Sequence, residues 1–139
     1  MRLFRWSKAH AVFVPEIDDE HRAIFRIADE LQQAVDSEAP QFQVLEILHR
    51  LIAQAEDHFT HEESLMRSLR YPAFEWHRQQ HETVRKRARK FVPQIEAGDP
   101  EAATLLIGFL SQWLKEHTGL ADRMMGAYVR NQNRLHHAA

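Results

Sequence analysis

The 139-residue chain has no cysteine, only four glycines and five prolines, and no long apolar run. Each shortage excludes something. Without cysteine there is no disulfide framework, no thiolate metal site and no cysteine nucleophile. No stretch approaches the roughly 18 apolar residues of a membrane span. The N-terminal MRLFRWSKAHAVFVPEIDDEH has neither a continuous apolar segment nor a small-residue cleavage site, so no secretory leader is expected. A cytoplasmic location with no membrane partner follows as the expectation. The formal net charge of −2 gives no overall attraction for polyanions, and nucleic acid is not an expected partner. RKRARK (85–90) is a basic run, but on a helix it spreads over several faces and reads as solvated surface.

What is present is helical periodicity. The few glycines and prolines sit mostly between helix-period segments, and no strand pattern competes. Residues 1–17 read as an apolar arm carrying Phe4, Trp6, Phe13 and Pro15. Asp18 is expected to cap a first helix whose stripe runs Ile17, Ile24, Ala28, Leu31 and Val35. SEAP breaks it. A second helix is predicted over about 41–69, with Leu48, Leu51, Ala55, Phe59, Leu65, Met66 and Leu69 inward, ended by the YP pair at 71–72. A third starts near 74, carrying Phe74, Val84, Ala88, Phe91 and Ile95, with Pro93 expected to kink or fray its end. Gly98 stops that helix, Asp99 caps the fourth, and Pro100 opens it. The fourth stripe reads Leu106, Leu110, Trp113, Leu114, Leu120 and Met124. Four helices with short connections predict an all-α, up-down-up-down antiparallel four-helix bundle. One domain is expected over 1–139: arm 1–17, bundle 18–131 and a frayed tail 132–139.

Ten histidines are many for this length, and their placement is informative. HFTHEESLM (58–66) holds two histidines and two glutamates within six positions. His61 shares a face with Gln54, Asp57, Ser64 and Ser68, and Glu63 with Glu56, Thr60, Arg67 and Arg70; both faces read as wet. His58 and Glu62 instead continue the inward series of Leu51, Ala55, Leu65 and Leu69. A carboxylate in an apolar stripe must be paired, protonated or bound to a cation. The same interruption recurs on every helix: His21 between Ile17 and Ile24, His77 and His81 between Phe74 and Val84, and His117 between Trp113 and Leu120. Asp122 lies about 140° round an ideal helix from His117 and has to reach in from the flank. His10, His49, His61, His136 and His137 read as surface.

A single inward histidine is ordinarily a hydrogen-bonded core residue. Five of them with carboxylates, supplied by all four helices, point instead to a metal site in the bundle core. Five imidazoles and two carboxylates exceed one ion's capacity, so two ions are implied, with about twelve coordination positions between them. With both carboxylates and an oxide or hydroxide bridging, one position stays open. Imidazole suits iron, copper or zinc, and paired carboxylate bridges favour iron. A nitrogen-rich set favours reversible ligand binding over substrate oxidation.

At these residues the chain resembles the hemerythrin family, in its single-domain bacterial form. The resemblance is carried by VPEIDDEH (14–21), HFTHEESLM (58–66), YPAFEWHRQQH (71–81) and WLKEHTGLAD (113–122). It implies a non-haem, oxo- or hydroxo-bridged pair of iron ions, with His77, His81 and His117 on one iron, His21 and His58 on the other, and Glu62 and Asp122 bridging. It implies reversible binding of dioxygen at the open iron for storage, transport or delivery, without enzymatic turnover. Nitric oxide and small anions are further ligands for that position. Sensing, or ferroxidase- or peroxidase-type chemistry, is the rival at the same centre. Leu114 and Thr118 are expected to line the oxygen pocket. Two positions depart from the family pattern: Phe13, where a glycine is often seen, and Thr118, where a branched apolar residue is common. A hydroxyl at Thr118 is expected to hasten autoxidation by bringing water or a proton to the pocket, unless it bonds back to the Leu114 carbonyl.

Overall fold

A computed structural model describes residues 2–138, with side chains to residue 135. The helices are α1 (Pro15–Asp36), α2 (Gln41–Ser68), α3 (Phe74–Glu96), α4 (Pro100–Glu116) and α5 (Asp122–Ala138), with no strand among the described residues. A π-helical turn, His117–Ala121, joins α4 to α5, so the two form one interrupted fourth rod. α1 packs on α2, α2 on α3, α3 on α4 and α4 on α1, which closes the antiparallel four-helix bundle. In front of it, the arm makes one 3-10 turn at Lys8–His10.

Pro15 sits in the first turn of α1, where its missing N–H costs nothing. The helix therefore starts three residues before Asp18. Asp18 does not cap it: its buried carboxylate reaches back to accept the N–H groups of Val12 and Phe13, at 2.8 and 3.1 Å. That pins the arm to the bundle. Glu38 and Arg70 take left-handed conformations just past the ends of α1 and α2 (φ 54° and 52°). Gly98 does the same after α3 (φ 81°), and the Asp99 side chain accepts Glu101 N–H at 3.0 Å to cap α4. Pro93 neither ends nor frays α3, which runs on to Glu96; a proline so close to a helix end removes only one ladder bond. α5 spans Asp122–Ala138 and so takes in most of the tail segment. Ala139 lies outside the described residues, as do the side chains of His136 and His137.

The apolar core is in two pieces. The larger holds Ile24, Ala28, Leu31, Leu48, Leu51, Phe91, Leu106, Leu110 and Leu114, with Phe4 from the arm. The smaller, at the arm's end of the bundle, holds Val12, Val14, Ile17, Met66, Tyr71, Met125 and Val129. Leu120 and Met124, expected inward, are 57% and 47% exposed. The π turn takes up one extra residue, so Ala121, Met125 and Val129 carry the inward stripe beyond it.

Candidate metal centre

Between the two apolar clusters lies a polar layer. His21 follows Ile17 by one turn of α1. His58 and Glu62 fall between Leu51 and Met66 of α2, and His77 and His81 between Tyr71, just before α3, and Val84 within it. His117 and Asp122 flank the π turn. All seven are buried, and Glu62, His77, His81 and Asp122 are fully so. The π turn is what brings Asp122 in. Its backbone N–H donates to the carbonyl of His117, five residues back, so the two side chains lie on one side of the rod. Nε2 of His117 stands 3.0 Å from Oδ1 of Asp122.

The seven side chains form two overlapping groups. Glu62, His77, His81, His117 and Asp122 present ligand atoms all within 4.8 Å of one another, and so do His21, His58, Glu62 and Asp122. Each shared carboxylate divides its oxygens between the groups. Oε1 of Glu62 faces Nε2 of His77, and of His81 at 3.1 Å, while Oε2 faces Nε2 of His58 at 3.0 Å. Oδ1 of Asp122 faces His77 and His117, at 3.1 and 3.0 Å, and Oδ2 faces His21 at 2.9 Å. The Nε2 atoms of His21 and His58 are 3.1 Å apart. Aromatic neighbours fix several rings. Phe59 stacks on His81 at 4.1 Å, Trp113 on His117 at 5.5 Å, and Tyr71 meets His77 edge-on.

The charge balance asks for cations. Oε2 of Glu62, both oxygens of Asp122 and Nε2 of His117 are buried without a hydrogen-bond partner. Two buried carboxylates short of donors are costly unless something positive sits among them. With protons as the only cations, the imidazoles supply the charge. Burial opposes a proton on His58, but Glu62, Glu20 and Asp122 overcome it and push its pKa up to about 10. Against the same burial, Asp122 and Glu62 push His117 to about 9, and they raise His77 as well. His81 goes the other way, lowered by burial and by His117 and His77. Burial pushes both carboxylates up, yet His58 and His117 hold Glu62 well below the ordinary carboxylate range. His117 and His21 do the same for Asp122 against both burial and Glu62. Imidazole and carboxylate together are a donor set for first-row metal ions, and the residues fit a pair of them.

Two carboxylates behind the imidazoles were not legible as site residues. Glu63, expected on a wet face, is buried; it accepts from Nδ1 of His81 at 2.8 Å and lies under the Arg85 guanidinium. The covering group comes from α3, which α2's own periodicity does not reveal. Glu20 accepts from Nδ1 of His58 at 2.6 Å and, through its other oxygen, from Nδ1 of His61 at 2.6 Å. His61 is therefore half exposed but tied to the site, not free surface. Such partners orient metal-binding imidazoles. His10 is half-buried against the Phe25 ring, and His49 is exposed as expected. Thr118 is buried, and its hydroxyl donates to the Leu114 carbonyl.

A bundle with this centre defines a class, and the comparisons agree. The Hemerythrin HHE cation binding domain pattern matches residues 12–129, and the chain belongs to the hemerythrin family. The chain is 26% identical over 125 residues to a bacteriohemerythrin of Clostridium acetobutylicum, covering 87% of this chain and 97% of that one. It is 30% identical over 107 residues to one from Aquifex aeolicus, covering 76% and 78%. It is 27% identical over 114 residues to a myohemerythrin of Theromyzon tessulatum, covering 82% and 83%. The crystal structure of a wild-type hemerythrin superposes with a TM-score of 0.79 at 22% identity, covering 90% of this chain and 96% of that one, which shows the shared fold. The family's cofactor is a non-haem di-iron centre. No described helix is long and apolar enough to cross a membrane.

Proposed function

We propose that this chain binds dioxygen reversibly at the di-iron centre, for storage, transport or delivery, and does not turn over a substrate. The observation that carries this is the sharing of Glu62 and Asp122 between the two histidine groups, one oxygen to each. His77, His81 and His117 would hold one iron, His21 and His58 the other, with both carboxylates bridging. The group with two imidazoles instead of three leaves room for a small ligand, nitric oxide and small anions included. The iron pair, when bound, supplies the electrons that dioxygen takes up and returns.

The chain's own residues do the rest. Glu20 and Glu63 hold the Nδ1–H of His58 and His81, which turns each Nε2 lone pair toward the centre. Phe59, Leu114, Met66 and Met125, all buried, keep bulk water from the layer. Leu114 and Thr118 form the wall of the ligand pocket in this reading. A cytoplasmic setting is part of it too.

The test is an anaerobic titration of the reconstituted protein with dioxygen, followed by absorption. Two irons per chain, one dioxygen per pair and recovery of the starting spectrum under vacuum are expected. Irreversible oxidation on first contact, or steady turnover of a reductant, would refute the reading.

A further inference from the structure

Of the five imidazoles at the centre, two are hydrogen-bonded outward through Nδ1: His58 to Glu20 and His81 to Glu63. The Nδ1 atoms of His21, His77 and His117 are buried with no partner. The two outward connections are covered differently. Over Glu63 lies Arg85, whose guanidinium reaches Glu63 at 3.2 Å, Glu56 at 2.9 Å and Glu82 at 2.6 Å. A metal cation arriving there meets a fixed positive charge. Glu20, by contrast, is paired among the described residues with His58 and His61 and with no arginine or lysine. The Glu20 side chain is 25% exposed and the His61 side chain 41%. From solvent inward run His61, Glu20, His58 and Glu62, separated by 2.6, 2.6 and 3.0 Å. Every one of them is a metal ligand by type, and among the described residues no lysine or arginine is ion-paired to any of the four.

The geometry points to the His61–Glu20 pair as an outer, transient metal site, the gate through which ferrous iron reaches and leaves the buried centre. This rests on the di-iron reading above. A bare divalent ion cannot cross the apolar wall of a bundle, because losing its hydration without replacement ligands is prohibitive. An imidazole and a carboxylate at the surface replace part of that hydration. Glu20 then keeps an anionic oxygen on the ion while the His58 ring swings to pass it to Glu62. The ion exchanges ligands throughout and undergoes no redox change.

A gate changes rates in both directions by one factor and leaves the equilibrium alone, whereas a residue that merely positions His58 changes the affinity. The metal-free full-length chain is mixed anaerobically with ferrous iron, and loading is followed through the quenching of tryptophan fluorescence, since Trp113 stacks on His117 and Trp76 meets His77 edge-on. Release is followed with an excess of a coloured ferrous chelator. His61→Asn keeps a hydrogen-bond donor near Glu20 but is a poor ligand; His61→Asp keeps a ligand. In His61→Asn, loading and release should both slow by roughly tenfold, a change of about 1.4 kcal/mol in barrier, with two irons bound at the end. His61→Asp should load at close to the native rate. Native rates in His61→Asn, or a loss of affinity without a matching change in both rates, would overturn the gate. A native chain that takes up fewer than two irons would instead overturn the di-iron reading itself.

Discussion

Phe13 has φ 61°, in the left-handed region where an L side chain meets its own backbone. Its ring is 63% exposed, with the Arg130 guanidinium 5.7 Å from its centroid, so little burial offsets the strain. The glycine often seen at this place in the family has a physical reason here. Phe13→Gly is expected to stabilise the fold by up to about 1 kcal/mol, since relief of strain exceeds the added chain entropy. Urea unfolding of both proteins measures it, and a lower midpoint for the glycine variant would contradict the strain. Thr118 is the other departure. A hydroxyl has one proton to donate, and this one is committed to the Leu114 carbonyl. The faster autoxidation expected from the sequence loses its proton source. Thr118→Val, which keeps the shape, should leave the decay of the oxygenated absorption band within about twofold of native, under 0.5 kcal/mol in barrier. A several-fold longer lifetime would show that the hydroxyl reaches the pocket after all.

The fourth rod shows what helical spacing can and cannot reveal. Up to Leu114 the three- and four-residue pattern assigns the inward face correctly. Past His117 it fails, because an i→i+5 turn leaves no mark in the spacing of apolar residues. By spacing alone Asp122 is the weakest member of the set, about 140° from His117 on an ideal helix, and the π turn is what removes that offset. The buried face of α2 was legible for the same reason that Glu63 was not: the pattern reports one helix, and Arg85 on α3 covers Glu63. Deleting Gly119, whose Cα faces open space, should turn the π segment into regular helix. Asp122 would then stand four residues after His117 and keep its side of the rod. Helix content by circular dichroism and two bound irons per chain should both hold. Loss of iron in the deletion variant would show that the turn does more than absorb one residue. The arm depends on a closer fit. A Cβ added at Gly126 would stand 2.8 Å from the Val12 carbonyl and 2.9 Å from its Cβ. Gly126→Ala should lift the arm and raise hydrogen exchange at the Val12 and Phe13 amides.

In the proposed ligand set all four helices contribute, which would make metal binding part of folding. Metal at a hundredfold above its Kd stabilises the native state by about 2.7 kcal/mol, so removing iron should lower the melting temperature by roughly 10 °C for a chain of this size. The metal-free protein then depends on protons. His58 and His117, with pKa values raised to about 10 and about 9, contribute stability that is full below the free-imidazole value of 6.5 and fades as pH rises through 9 to 10. His81, lowered by burial, works against them. Melting of the metal-free form should therefore fall between pH 7 and 10, with a flatter profile for the iron-loaded form. The same protons compete with iron, so loading should release protons and tighten over that interval. A metal-free profile that rises with pH would rule this out.

The division of the apolar core into two clusters has a mechanical consequence. With iron held as proposed, the seven side chains of the polar layer would lash the two ends of the bundle together. Without it, that layer is a fault plane, and the smaller cluster, with Val12, Met125 and Val129, holds its end of the rods by itself. Native-state hydrogen exchange on the metal-free chain should resolve two families of amides. Those around Met66 and Met125 would open at lower free energy than those around Leu31 and Leu106. Iron should merge the two families into one cooperative unit, so that the cation acts as the keystone between halves that otherwise breathe apart.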